Sequence, residues 1–191
     1  MGMLIIHHEK VSPESAKALT ELCPFGAISY ENGKLDFSKV KTFNLDEYYP
    51  IKPDNDQSYR YFMNYHLFDH VNIDKANTNV PNGLAADPEA ECERYNQVMR
   101  DLGGIDIQVL GMGHNGHIGF NEPADHFPLD THVVDLQDST IDANARFFAS
   151  RDEVPKKAMT MGIKSIMQAR QILVVVSGED KAEIVKKAFT G

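Results

Sequence analysis

The chain is poor in cysteine, in long apolar runs and in positive charge, and each shortage removes a class of protein. With only Cys23 and Cys92 there is no disulfide framework and no set of paired Cys-x-x-Cys zinc ligands. A reducing cytoplasm is the compartment this usage implies. No segment approaches the ~18 apolar residues of a membrane span. The opening Met1-Gly2-Met3-Leu4-Ile5-Ile6 runs into His7, His8 and Glu9 before a signal-peptide core could form. The balance of 19 basic against 28 acidic side chains leaves a net charge of -9. That is the wrong field for nucleic acid or an anionic membrane. Any anionic ligand must be held by a few placed cations. Low-complexity tracts and periodic repeats are also absent, so solenoids and disordered tails drop out.

What is present suits one compact domain. The 191 residues are 42% hydrophobic and 25% charged, enough to bury about 70% of the unfolded surface without staples. Short β-rich runs alternate with amphipathic stretches, the pattern of an α/β fold with a mainly parallel sheet and helices on both faces. Residues 40–45 read as a strand ending at Asp46-Glu47, and residues 58–68 as a helix with Ser58 at its N-cap. Tyr59, Tyr61, Phe62 and Tyr65 are expected in that helix's core. Asp87-Pro88-Glu89 opens a helix running to about Leu102. Strands are expected over 105–111, 131–136 and 158–162, with 171–176 a buried central strand. Ser177-Gly178-Glu179-Asp180 caps a last helix through Lys187.

In an open parallel sheet ligands sit at the carboxyl ends of strands, and two such ends carry chemistry. The first leads into Gly111-Met112-Gly113-His114-Asn115-Gly116-His117-Ile118-Gly119-Phe120-Asn121-Glu122-Pro123. Glycines there permit close backbone approach to a substrate oxygen. Histidine exchanges protons near neutrality, and a carboxylate such as Glu122 can fix its tautomer. His117 with Glu122 is therefore the candidate acid/base pair; a tight turn with a capping histidine is the structural alternative. The second end carries Asp46, which serves as a general base if partly desolvated and otherwise caps a turn. Arg146 and Lys181 are the candidate anion clamps, Arg by its planar fork and Lys by a point charge at a helix start. His7, His8, His66, His70, His126 and His132 lack metal-ligand spacing, and no metal site is expected.

Three motifs together, Phe43-Asn44-Leu45-Asp46-Glu47-Tyr48, the glycine-histidine stretch from Leu110 to Pro123, and Ala145-Arg146-Phe147-Phe148, resemble the glucosamine-6-phosphate deaminase (isomerase) family from about Leu35 to Gly191. The resemblance implies a Rossmann-like fold and conversion of glucosamine 6-phosphate and water to fructose 6-phosphate and ammonia without cofactor or metal. It implies that Asp46 moves a proton between C2 and C1 of the opened sugar, that His117 helps open the ring, and that Glu122 orients it. Arg146 and Lys181 would hold the 6-phosphate, and Glu47, Gly113 and Gly116 would contact the small-molecule sugar phosphate. Asn115 stands where some relatives carry Asp; it can hydrogen-bond but cannot carry charge. Some relatives form hexamers, so a homo-oligomer is a further expectation. Enzymes for galactosamine 6-phosphate or a phosphorylated sugar lactone share the fold, and the Phe-Asn-Leu-Asp-Glu-Tyr motif favours the glucosamine substrate.

Ahead of Asp46 the chain has Gly2, Gly26 and Gly33 but no glycine- and Ser/Thr-rich loop, whereas the family has a first strand and phosphate-binding loop there. Residues 4–30, with Leu22-Cys23-Pro24-Phe25-Gly26-Ala27-Ile28, resemble instead the ferredoxin-like N-terminal piece of electron-transfer flavoprotein alpha subunits. Two cysteines do not make an iron-sulfur site, which takes four thiolates. The expectation is a join near Gly33-Lys34-Leu35, dividing the chain into 1–34 and an incomplete deaminase-like 35–191. The family's C-terminal end is also missing, and activity should be reduced. The alternative is an inactive sugar-phosphate-binding protein.

Overall fold

The computed structural model describes residues 12–22 and 26–190. Cys23, Pro24 and Phe25 of the ferredoxin-like motif, with His7 and His8, lie outside them.

Helix α1 (Pro13–Leu22) is followed by strands β1 (Ser29–Glu31) and β2 (Lys34–Asp36), an antiparallel hairpin turning at Asn32-Gly33. The boundary expected after residue 34 falls inside β2. Residues on both sides of it share one core: Ala16 of α1 packs with Leu35, Phe37, Phe68 and Ile73. The hairpin is thus bonded into the rest of the molecule by apolar burial.

Strand β3 (Thr42–Phe43) pairs in parallel with β5 (Thr78–Asn79). Asp46 does not trail off this strand as expected. It begins a new one, β4 (Asp46–Tyr49), antiparallel to β8 (Lys157–Thr160), which pairs on its other edge with β7 (His132–Asp135). Thr160 stands opposite both Asp46 and His132. Strands β6 (Ile107–Leu110) and β9 (Gln171–Val174) form the second parallel pair. Among the described residues three of the five strand pairings are therefore antiparallel, against the mainly parallel sheet expected. Strand-forming residues fix a period of two but not the direction of the neighbour.

The helices follow their caps. Ser58 accepts from the amides of Arg60 and Tyr61 to open α2 (Tyr59–Met63), which continues as a π turn over Asn64–Phe68. Tyr59 and Phe62 are half-buried, but Tyr61 and Tyr65 are exposed and stack on each other, so only part of the expected aromatic core exists. Asp87 accepts from Ala90 N at the start of α3 (Pro88–Asp101). Short α5 (Ile163–Met167) follows α4 (Asp138–Asn144), and a 3-10 turn at Glu179–Lys181 leads into α6 (Ala182–Thr190). The main core gathers Tyr95 and Met99 of α3, Leu110 of β6, Met161 and Ile166. Each such side chain contributes about 1.5–3 kcal/mol. The run expected as a buried central strand is instead open: Leu173 is 46% and Val175 54% exposed, as is Val109 of the partner strand at 55%. Among the described residues β9 pairs only with β6, and these side chains stay about half exposed.

Candidate active site

Asp46 is 3% exposed, and among the described residues no hydrogen-bond donor reaches its carboxylate. Burial, with the charge of Glu47 beside it, pushes its carboxyl up to about 7. The loop after β6 passes directly above. A Cβ on Gly119 would lie 3.3 Å from Asp46 Oδ2 and 2.9 Å from Thr160 Oγ1, and Gly119 has φ +60°. Glycine is required there by both room and backbone. Phe120 N donates to Thr160 Oγ1 (3.1 Å), and Asn121 Nδ2 donates to Ile118 O (3.1 Å) and Met161 O (2.9 Å). These bonds fasten the loop to the end of β8.

Two residues before Gly119 stands His117, its imidazole packed flat on Gly113, where any Cβ would overlap three ring atoms. His117 Nδ1 is 2.7 Å from Asn115 Oδ1, and Asn115 Nδ2 is 2.5 Å from Glu122 Oε2. Glu122 itself lies 3.9 Å from Nδ1. An ionised carboxylate only accepts, so Glu122 turns the amide's N–H groups toward itself and its oxygen toward the ring. That oxygen only accepts too. Nδ1 therefore donates to Asn115, and in the neutral form of the ring Nε2 keeps the lone pair. Asn115 thus bridges the acid and the histidine.

The other expected residues divide. Glu47, expected on the substrate, is 1% exposed, and its carboxylate accepts from Ser58 Oγ (2.8 Å), Tyr59 N (2.9 Å), Arg60 N (3.0 Å) and its own Tyr48 N (3.0 Å). It has turned inward to the start of α2. Lys181 donates to Met112 O (2.9 Å), and His114 pairs with Asp180 (2.6 Å), so the turn before α6 is tied to the glycine loop twice. Gly116 lies beneath Ile184 of α6. Arg146 is exposed and stacks on Phe147 at 4.6 Å; two residues on, the Phe148 ring meets Tyr48 at 6.0 Å. Lys181 therefore adjoins the glycine loop directly and Arg146 does not.

Sequence reasoning passed over Thr160, Asn121 and the ring group Tyr48, Tyr59, Phe120 and Phe148. A threonine closing an apolar strand was the available signal for the first. Two hollows elsewhere, of about 500 Å³ beside α1 and β1 and about 100 Å³ between α3 and α5, include none of these groups. Asp46 is a buried carboxylate that no donor reaches among the described residues, and neither hollow includes it.

Comparison with known proteins follows the same line. The family model for glucosamine-6-phosphate isomerases/6-phosphogluconolactonase matches residues 16–191, beginning well before Leu35. The chain is 59% identical over 162 residues to a glucosamine-6-phosphate deaminase of Clostridium perfringens, covering 85% of this chain and 67% of that protein. It is 58% identical over 162 residues to one of Lachnoclostridium phytofermentans, covering 85% and 69%. A solved structure described as a monomeric glucosamine-6-phosphate deaminase superposes with TM-score 0.80 at 44% identity, covering 94% of this chain and 73% of that one. A 6-phosphogluconolactonase from Thermotoga maritima gives TM-score 0.62 at 19% identity, over 92% and 71%, a likeness of fold alone.

Proposed function

Because the chain belongs to the glucosamine-6-phosphate isomerase/6-phosphogluconolactonase family, we propose that it deaminates glucosamine 6-phosphate to fructose 6-phosphate and ammonia. The observation that carries this reading is the buried, unpartnered Asp46 beneath the loop that bears His117. In the proposed reaction Nε2 of His117 takes the proton from the C1 hydroxyl and passes it to the ring oxygen as the C1–O5 bond breaks. The Asp46 carboxylate then removes the proton from C2 and returns it at C1 through an enolamine, and water displaces ammonia. A base titrating near 7 suits this transfer, since it is ionised at working pH yet holds a proton well enough to pass it on. Neither role calls for a metal or organic cofactor. Lys181 and Arg146 supply the positive charge for the 6-phosphate, and the cytoplasm is the proposed compartment. Self-association is proposed as well, with light scattering as its test.

Ahead of Asp46 the described residues form α1, the β1–β2 hairpin and β3, and the sequence there holds no glycine- and Ser/Thr-rich loop. Each charge-assisted hydrogen bond that a glycine- and Ser/Thr-rich loop would give is worth roughly 1.5–3 kcal/mol of binding, so KM should stand orders of magnitude above that of a relative carrying such a loop. Incubation with glucosamine 6-phosphate, reading ammonia and fructose 6-phosphate together, tests the proposal. Slow turnover that saturates only at high substrate concentration is the expected result. Binding of the sugar phosphate with no turnover at any concentration would favour the non-catalytic reading.

A further inference from the structure

The stretch that carries His117 is built as two tight turns in succession. The first is closed by Gly113 N donating to His117 O (2.9 Å), the second by Asn121 N donating to Ile118 O (3.0 Å). His117 and Ile118 are adjacent, so the fastening of the second turn governs where the first one sits. The outer end of the stretch is held at Met112 and His114 by Lys181 and Asp180. The inner end is held by Asn121, whose Nδ2 reaches Met161 O (2.9 Å), and by Thr160.

Thr160 is 0% exposed and ends β8, where Ala158, Met159 and Met161 are all buried and apolar. A hydroxyl in such a place is costly unless it is bonded, and valine would fill the same volume without that cost. The bond it makes is to the loop: Oγ1 accepts from Phe120 N at 3.1 Å. Thr160 pairs with Asp46 on one side and His132 on the other, and Met161 N donates to Leu45 O (2.7 Å). The strand that presents Oγ1 is thereby locked to the strand that presents Asp46. A β-branched side chain is stiff about χ1, which carries that lock out to the oxygen. The Cβ site on Gly119, 2.9 Å from Thr160 Oγ1 and 3.3 Å from Asp46 Oδ2, borders both side chains at once.

We infer that Thr160 is a positioning residue whose hydroxyl, by gripping Phe120 N, sets the height of the His117 turn over Asp46. The inference rests on the deaminase reading for its effect on catalysis, though not for the grip itself. Without the grip the loop keeps its ties at Met112, His114 and Asn121, and Phe120 N turns to water. The chain still folds, but the two proton-handling groups no longer hold one fixed spacing. A misplacement of about 1 Å costs on the order of 10²-fold in rate, while the Lys181 ammonium proposed for the 6-phosphate stays where it was.

The wild type, Thr160→Val and Thr160→Ser are compared by amide hydrogen exchange and by steady-state kinetics. In the wild type the Phe120 amide should exchange slowly; exchange at the rate of an unstructured peptide would overturn the inference with no variant needed. In Thr160→Val that amide should exchange about five- to tenfold faster, with the amides of β8 protected as before. There kcat should fall about 100-fold and KM change little. Thr160→Ser keeps the hydroxyl and should retain both the slow exchange and most of kcat. Unchanged Phe120 exchange in Thr160→Val overturns the inference, and so does loss of that protection with kcat intact. A kcat in Thr160→Ser as low as in Thr160→Val would assign the effect to the methyl group and overturn it as well. Faster Phe120 exchange in Thr160→Val alone, in a protein whose wild type turns over no glucosamine 6-phosphate, would count against the deaminase reading and leave the grip standing.

Discussion

Asp46→Asn should abolish turnover and at the same time make the protein more heat-stable at pH 8. The carboxyl titrates near 7 when folded and near 3.8 when unfolded. Below the lower value both states hold the proton and burial costs little. As pH rises toward 7 the unfolded chain releases its proton while the folded one keeps it, and stability falls. Above 7 the full penalty, about 4 kcal/mol, is present. The asparagine carries no such pH dependence. The difference in unfolding free energy between variant and wild type should therefore grow by about 4 kcal/mol from pH 4 to pH 8. For a chain of this length that corresponds to a relative gain of about 10 °C in Tm. Thermal melts at the two pH values check it; a variant destabilised equally at both would show that Asp46 is not held under strain. Loss of activity with gain of stability is the signature of a site built against the preference of its own fold.

Gly113→Ala should leave the fold standing and remove most of the activity. The added methyl group occupies the space of the His117 ring, and the imidazole, 35% exposed, is free to swing toward solvent. Swinging breaks the Nδ1 contact with Asn115 and takes Nε2 away from the sugar. Misplacing a general acid/base group costs about 10²- to 10⁴-fold. The fall should appear in kcat, with the melting temperature within a few degrees of wild type. Undiminished kcat would show that His117 takes no part in the rate-limiting proton transfers.

Both variants touch residues that the sequence already singles out, and the reason is chemical density. Glycines, histidines and a carboxylate within thirteen positions have few structural uses. The helix starts at Ser58 and Asp87 were legible for a similar reason, since a cap is a local pattern of side chain and backbone. Glu47 was not legible. Its donors Tyr59 and Arg60 lie twelve and thirteen residues further along, and no local spacing tells a carboxylate aimed at substrate from one aimed at a helix start. Strand direction was hidden in the same way: β8 reads as a strand whatever its neighbours, and only the folded chain sets it antiparallel to β4 and β7. The apolar run at 171–176 misled because hydrophobicity reports a preference for cover. It does not say that cover is present.

That uncovered face has a consequence at the bench. Val109, Leu173 and Val175 present a sticky strip beside strand edges that no described residue pairs with, the combination by which strands of separate molecules add to one another. What holds molecules apart is mutual repulsion from the net charge of -9, and dissolved ions shorten the reach of that repulsion to about 10 Å at 0.1 M and 3 Å at 1 M. Turbidity should therefore climb with ionic strength, and more steeply as the buffer approaches the isoelectric point near 5.3. Dilute, mildly alkaline, low-salt storage is the regime in which such strand-edge aggregation should be slowest.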